Sequence, residues 1–333
     1  MNYYSKMSDV WPVVRKLKGH SNQSKISLPS KGGQFQNNSE IANQFSQIYK
    51  KVRSNHSIDA NSLSSRNNTV AKTIRNIYLE KENLESTFNN DIQAINVCFT
   101  LNELDMALLK SNKNSALGIN EILYNYFINS PDSMKIFLLD IINQSWTSGE
   151  IPLRWKHASV KPVIKPGKDK TDLNSYRPIS LTNTISKVME KMIVNRLRWY
   201  LEKNNLINNK QSGFRKTCST NDPIIRLKTE AEHAVKSGNI TIAILIDFSR
   251  AFDLLWIDGM LLKLMQFGIT GNMLNWIKNF LTDRKYQVKI ESSLSDPYIL
   301  ESGTPQGSSV SPLLYHNQKK QGTYRATLRS ATF

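Results

Sequence analysis

The chain has 333 residues, 39% of them hydrophobic, with 44 Lys and Arg against 27 Asp and Glu for a formal net charge of +17. That length accommodates two or three modest domains with a self-sufficient core, while two cysteines, Cys98 and Cys218, exclude a disulfide framework and a multi-cysteine zinc site and point to reducing surroundings. The cation surplus attracts polyanions, nucleic acid foremost, although a basic enzyme with no such partner has the same balance.

The elements are read in chain order. Residues 1–90 are loosely patterned: Ile41, Phe45 and Tyr49, at four-residue steps, predict a short helix within 40–52, and the Ser- and Asn-rich run 54–73 reads as a linker or disordered loop. Met134, Phe137, Leu138, Ile141 and Ser145 predict a helix over 132–147 that stops at Ser148-Gly149. A longer helix over 184–203 carries Ile185, Val188, Met189, Met192, Ile193, Leu197 and Tyr200 on one face. Thr220-Asn221-Asp222-Pro223 is a helix start. The β-branched run Ile242–Ile246 predicts a buried strand, and two helices follow near 258–267 and 271–282. Tyr286, Val288 and Ile290 alternate as a strand that 298–300 is placed to pair. The last 18 residues, with four Lys and Arg and no acid, read as a disordered basic tail rather than a closing element of a core. No stretch nears the roughly 18 apolar residues of a membrane span, and the opening Met1–Lys6 has no apolar signal core.

Three segments have residue types suited to phosphate chemistry. An apolar strand ending in Asp247 puts a carboxylate at a sheet edge, where it either holds a metal ion against a phosphate or caps the next turn; Asp253, six residues on, falls in that turn or the helix after it. Residues 154–177 hold seven Lys and Arg against two Asp, punctuated by Pro162, Pro166 and Gly167 as a hairpin or extended loop would be, which suits either a phosphate ligand or plain solvation. Gly303-Thr304-Pro305-Gln306-Gly307-Ser308 is either an ordinary turn or a bend that lets backbone approach a flat ligand.

Their order and wording resemble the reverse transcriptase of non-LTR (LINE-type) retrotransposons, the jockey-like elements of insects in particular. The matching stretches are Ile151-Pro152-Leu153-Arg154-Trp155-Lys156, Lys165-Pro166-Gly167-Lys168-Asp169 and Ser175-Tyr176-Arg177-Pro178-Ile179-Ser180-Leu181. Gln211-Ser212-Gly213-Phe214-Arg215, the run from Ile246 through Asp247 to Asp253, and the run from Gly303 to Leu314 continue the match over about 101–315. The resemblance implies an α/β (α+β) right-hand polymerase, fingers plus an incomplete palm. The expected divisions are a pre-polymerase tract over 1–100, fingers over 101–240, a partial palm over 241–315 and an unrelated basic tail over 316–333.

It also implies roles. Asp247 matches the first catalytic acid and, with the Phe248 carbonyl, a magnesium ligand; Phe252 matches the position whose bulk rejects a ribose 2′-hydroxyl. Lys165 and Arg177 match cations that hold the incoming triphosphate, Gln306 and Gly307 line the nucleotide and template pocket, and Gln211, Gly213, Phe214 and Arg215 fall near the template. The implied partners are an RNA template, a DNA primer and deoxynucleoside triphosphates, with no membrane and no sign of a homo-oligomer, and the implied place of work is the nucleus. The match breaks off at Leu314-Tyr315, before the Asp-Asp turn that supplies the other metal-binding acids, and no Asp or Glu follows Glu301. Two divalent ions about 4 Å apart repel by roughly 17 kcal/mol at an effective dielectric of about 20, and one acid offsets little of that. The expectation is a polymerase domain cut within its palm and inactive alone; the alternative is a non-catalytic, nucleic-acid-binding remnant of a transposon.

Overall fold

The computed structural model describes residues 26, 37–53, 89–112, 116, 118–216, 218–248, 250–318 and 326–331. The expected linker 54–73 lies outside them. The described helices are α1 (Asn38–Arg53), α2 (Asn89–Asn96), α3 (Leu101–Leu109), α4 (Tyr124–Ile128), α5 (Asp132–Ser148), α6 (Leu153–Lys156), α7 (Thr184–Lys203), α8 (Asn221–Lys236), α9 (Ile257–Gln266), α10 (Gly271–Leu281) and α11 (Ser311–Gln318). The strands are β1 (His157–Ile164), β2 (Tyr176–Leu181), β3 (Ala243–Phe248), β4 (Lys285–Ile290), β5 (Ser293–Leu294), β6 (Tyr298–Ile299) and β7 (Ala326–Ala331). This mixture of helices and sheet is the α/β architecture expected.

A helical body is built around α7. Asn183 caps it, its Oδ1 accepting from the backbone N–H of Ile185 at 2.9 Å and of Ser186 at 3.4 Å. Val188, Met189, Ile193, Leu197 and Tyr200 are buried in the same hydrophobic core as Trp146 of α5 and Trp276 and Phe280 of α10. Arg196, on the same helix, forks onto Glu103 of α3 at 2.7 and 2.8 Å and stacks 4.0 Å from the Phe99 ring centre. Glu103 also closes the Thr100 capping box of α3. Burial alone would raise the Glu103 carboxyl, but Arg196 and the Thr100 N–H outweigh it and hold the group below its ordinary value.

The second body is a sheet in the order β2-β1-β4-β5, with β6 also pairing β4. β1 and β2 form an antiparallel hairpin, Val160 opposite Ser180, while β1 and β4 run parallel, Val160 opposite Val288. Helix α1 lies over this sheet. Its Ile41, Ala42, Phe45 and Tyr49 pack with Ala158, Val160, Tyr176, Tyr286, Val288 and Tyr298, and the Phe45 and Tyr176 rings meet edge to face at 5.1 Å. The segment 38–53 is therefore part of the core, not the loose tract its surroundings suggested. β1 and β4, from either side of position 240, belong to one ladder.

Three local readings need correction. In α5 the buried stripe is Leu138, Ile142, Ser145 and Trp146, whereas Met134 and Phe137 are exposed; the stripe is rotated, because Trp146 is the larger payload and draws its own face inward. β3 is a strand, but Ile244 and Leu245 are 67% and 54% exposed, for among the described residues only β7 pairs with it. The backbone of 326–331, read as disordered tail, forms β7 antiparallel to β3, with Asp247 opposite Thr327. Among the described residues no helix is long and apolar enough to cross a membrane.

Candidate functional site

The hairpin β1–β2 presents two cations. Lys165 follows the last residue of β1; its backbone N–H donates to the Ser175 carbonyl at 2.9 Å and its ammonium to the Asn174 carbonyl at 2.8 Å. Arg177 lies in β2, paired with Val163 through the ladder, and the residue is exposed. Arg250 reaches the same bend, 3.5 Å from the Asn174 amide oxygen.

Facing the hairpin are a turn over 250–253 and the loop 302–308. The Asp253 N–H donates to the Arg250 carbonyl at 2.9 Å, and Arg250 takes a left-handed φ of 54° to make the turn. The Thr304 N–H donates to the Phe252 carbonyl at 2.8 Å and the Gly303 N–H to the Leu255 carbonyl at 2.9 Å. Gly303 has φ 84°, and a Cβ there would stand 2.6 Å from the Asp253 carbonyl oxygen. The approach needs glycine on both counts. On the far side the Ser180 N–H donates to the Gln306 carbonyl at 2.6 Å, tying the loop to β2. Glu190 of α7, fully buried, accepts from Ser308 Oγ at 2.7 Å and the Ser309 N–H at 2.8 Å. Burial pushes that carboxyl above its ordinary range.

Hairpin, turn and loop enclose a cavity of about 370 Å³, together with the end of α1. Its lining includes Lys165, Arg177, Phe252 and Gln306, four residues that the sequence reading placed at one site from motifs up to 141 positions apart. Arg53 and Asp253 also line it: Arg53 Nε donates to Asp253 Oδ1 at 2.8 Å, its Nη2 binds the same oxygen, and Gln306 Nε2 donates to it at 2.8 Å. Burial would lower the Arg53 guanidinium, but the Asp253 carboxylate outweighs this, leaving Arg53 above its ordinary value and charged. Four cations thus meet one carboxylate in a cleft with an apolar side at Phe252, Ile48 and Val52. Such a cleft is suited to a polyphosphate bearing a flat group.

Other predicted residues stand elsewhere. Gly307, beside Gln306, has φ 120° and packs against the Ser180 carbonyl instead of lining the cavity. Gln211, Gly213, Phe214 and Arg215 are not part of the lining; Arg215 forks onto Glu202 at 3.0 and 2.5 Å, and Phe214 is exposed with φ 61°. The backbones of Asp247 and Phe248 form the end of β3, and their side chains lie outside the described residues. Among the described residues no group of three His, Cys, Asp or Glu can hold a metal ion, and Asp253 is occupied by Arg53 and Gln306, so the donors described do not make a magnesium centre. The sequence reading missed Arg53. Its signal was present: Ile41, Phe45, Tyr49 and Arg53 continue one four-residue stripe, and a guanidinium on an apolar face requires a carboxylate.

Residues 165–320 match the family model described as reverse transcriptase (RNA-dependent DNA polymerase). The chain is 35% identical over 164 residues to a probable RNA-directed DNA polymerase from transposon BS of Drosophila melanogaster, covering 49% of this chain and 18% of that protein. It is 32% identical over 236 residues to the RNA-directed DNA polymerase from mobile element jockey of the same species, covering 71% of this chain and 25% of the relative. The jockey polymerase of Drosophila funebris is 31% identical over 70% of the chain, again a quarter of the relative's length. The chain therefore spans no more than a quarter of these relatives. With a basic cleft assembled from motifs in this order, residues 165–320 are a reverse transcriptase domain, of the type carried by jockey and other non-LTR transposons.

Proposed function

We propose that the cavity takes the incoming deoxynucleoside triphosphate of an RNA-directed DNA polymerase. The single observation that carries this reading is the convergence of Lys165, Arg177, Phe252 and Gln306 on one basic cleft. Lys165 and Arg177, with Arg250, hold the phosphates; Phe252 meets the sugar and excludes a 2′-hydroxyl; Gln306 lies along the nucleotide, with Gly307 keeping its loop close to β2. Phosphoryl transfer is mainly positioning and charge neutralisation, which a rigid cationic cleft supplies. Asp247 is the catalytic acid in this reading, beside the Phe248 carbonyl; magnesium, when bound, would neutralise phosphate charge. Residues 101–240 serve as fingers and 241–315 as part of the palm, and Gln211, Gly213, Phe214 and Arg215 face the template strand. The basic surface holds RNA template and DNA primer through their backbones.

The 333-residue chain tested alone binds nucleotide and nucleic acid without extending a primer, because no Asp or Glu follows Glu301 to join Asp247. A primer-extension assay on an RNA template with Mg²⁺ or Mn²⁺, run beside equilibrium dialysis with dATP, tests both halves. The expected result is dATP binding lost in Lys165→Ala and Arg177→Ala, with no extension. Undiminished binding in both variants refutes the pocket reading, and extension abolished by Asp247→Ala refutes the inactivity.

A further inference from the structure

The residues that close the back of the cleft come from α1, more than a hundred positions before the matched segment 165–320. Arg53 is only 3% exposed, so it cannot meet a ligand in the cleft as Arg177 can. Its fork ends on Asp253 Oδ1, the same oxygen that receives Gln306 Nε2. Ser302 Oγ completes the knot, donating to the Arg53 carbonyl at 2.9 Å and to the Asp253 carbonyl at 3.4 Å. Asp253 directly follows Phe252, whose carbonyl in turn accepts from Thr304. One carboxylate oxygen thus couples the end of α1, the turn with the apolar side chain, and the loop with the glutamine.

Remove the guanidinium and the buried Asp253 carboxylate keeps, of its described side-chain partners, only the Gln306 amide. Such a group rotates toward water or toward other donors, and that movement disturbs Gln306 and the Phe252 turn. We propose that Arg53 is a positioning residue: acting through Asp253, it fixes the Gln306 side chain and the Phe252 turn, and so sets how strictly the cleft distinguishes deoxyribose from ribose. This rests on the reading of the cleft as a nucleotide site.

The test uses the full chain with Arg53→Met, Arg53→Lys and, as a phosphate-contact control, Lys165→Ala. Two quantities are measured: the ratio of dATP to ATP affinity, and amide hydrogen exchange over 302–308 without nucleotide. Arg53→Met is expected to erode the affinity ratio by about tenfold and to speed exchange of the loop. Arg53→Lys keeps the charge but loses the fork and shifts both in the same direction by less, whereas Lys165→Ala weakens both nucleotides alike and leaves exchange unchanged. A folded Arg53→Met with wild-type ratio and wild-type exchange overturns the proposal. If Arg53→Met does not fold, Arg53→Lys decides, and no shift in it overturns the proposal equally. If the wild type binds neither nucleotide, the nucleotide reading is lost, and the exchange rates alone decide whether Arg53 holds the loop.

Discussion

Strands β3 and β4 are each six residues long and rich in β-forming side chains, yet they have opposite fates. In β4, Tyr286, Val288 and Ile290 are buried at 5% exposure or less, because α1 lies on that face and β1, β5 and β6 flank the strand. In β3, the more apolar of the two, Ile244 and Leu245 stay open; it pairs only with β7 among the described residues, and α8 next to it in sequence buries none of its side chains. Burial is conferred by the layer above a strand and not by the strand's own hydrophobicity.

The contrast can be broken or sharpened by substitution. The largest effects belong to the covered side. Asp253→Ala, which strands a buried guanidinium, is expected to cost about 3–5 kcal/mol in denaturant unfolding, and adding Arg53→Met should return much of it. Phe45→Ala, which opens a hole between α1 and the sheet, should cost a similar amount, about 3–5 kcal/mol; a value near zero would mean that α1 does not seal β4. Gly303→Ala forces a Cβ against the Asp253 carbonyl at φ 84° and should cost about 1–3 kcal/mol.

Glu190→Gln gives a smaller, pH-dependent effect. The buried carboxyl is raised above its ordinary value of 4.5, so its contribution is full below that pH and disappears as pH rises through the folded-state value. The melting temperature of the wild type relative to Glu190→Gln should therefore fall as the pH is raised above about 4.5. The smallest change is expected on the open side, where Ile244→Thr should alter stability by no more than about 0.5 kcal/mol. A large loss there would reveal a covering layer on β3.

Much of this is legible in the sequence. The α7 stripe and the hairpin punctuation gave their elements because local periodicity and turn chemistry determine them. The cleft's Lys165, Arg177, Phe252 and Gln306 were legible only through family motifs, since nothing local says that positions 165 and 306 meet. The face of α5 was misread by a fraction of a turn because Trp146 outweighs Met134. Arg53–Asp253 was out of reach: its two halves are 200 residues apart, and pairing between distant charges leaves no local pattern beyond a cation on an apolar stripe.

That separation bears on how the protein is made. At about 5–20 residues per second, roughly 10–40 s pass between synthesis of Arg53 and synthesis of Asp253. Through that interval α1 has neither β4 nor its counter-charge, and its face of Ile41, Phe45 and Tyr49 is available to holding chaperones or to mispairing. Expression of 165–320 by itself would omit the helix altogether and yield a domain whose cleft lacks its rear wall.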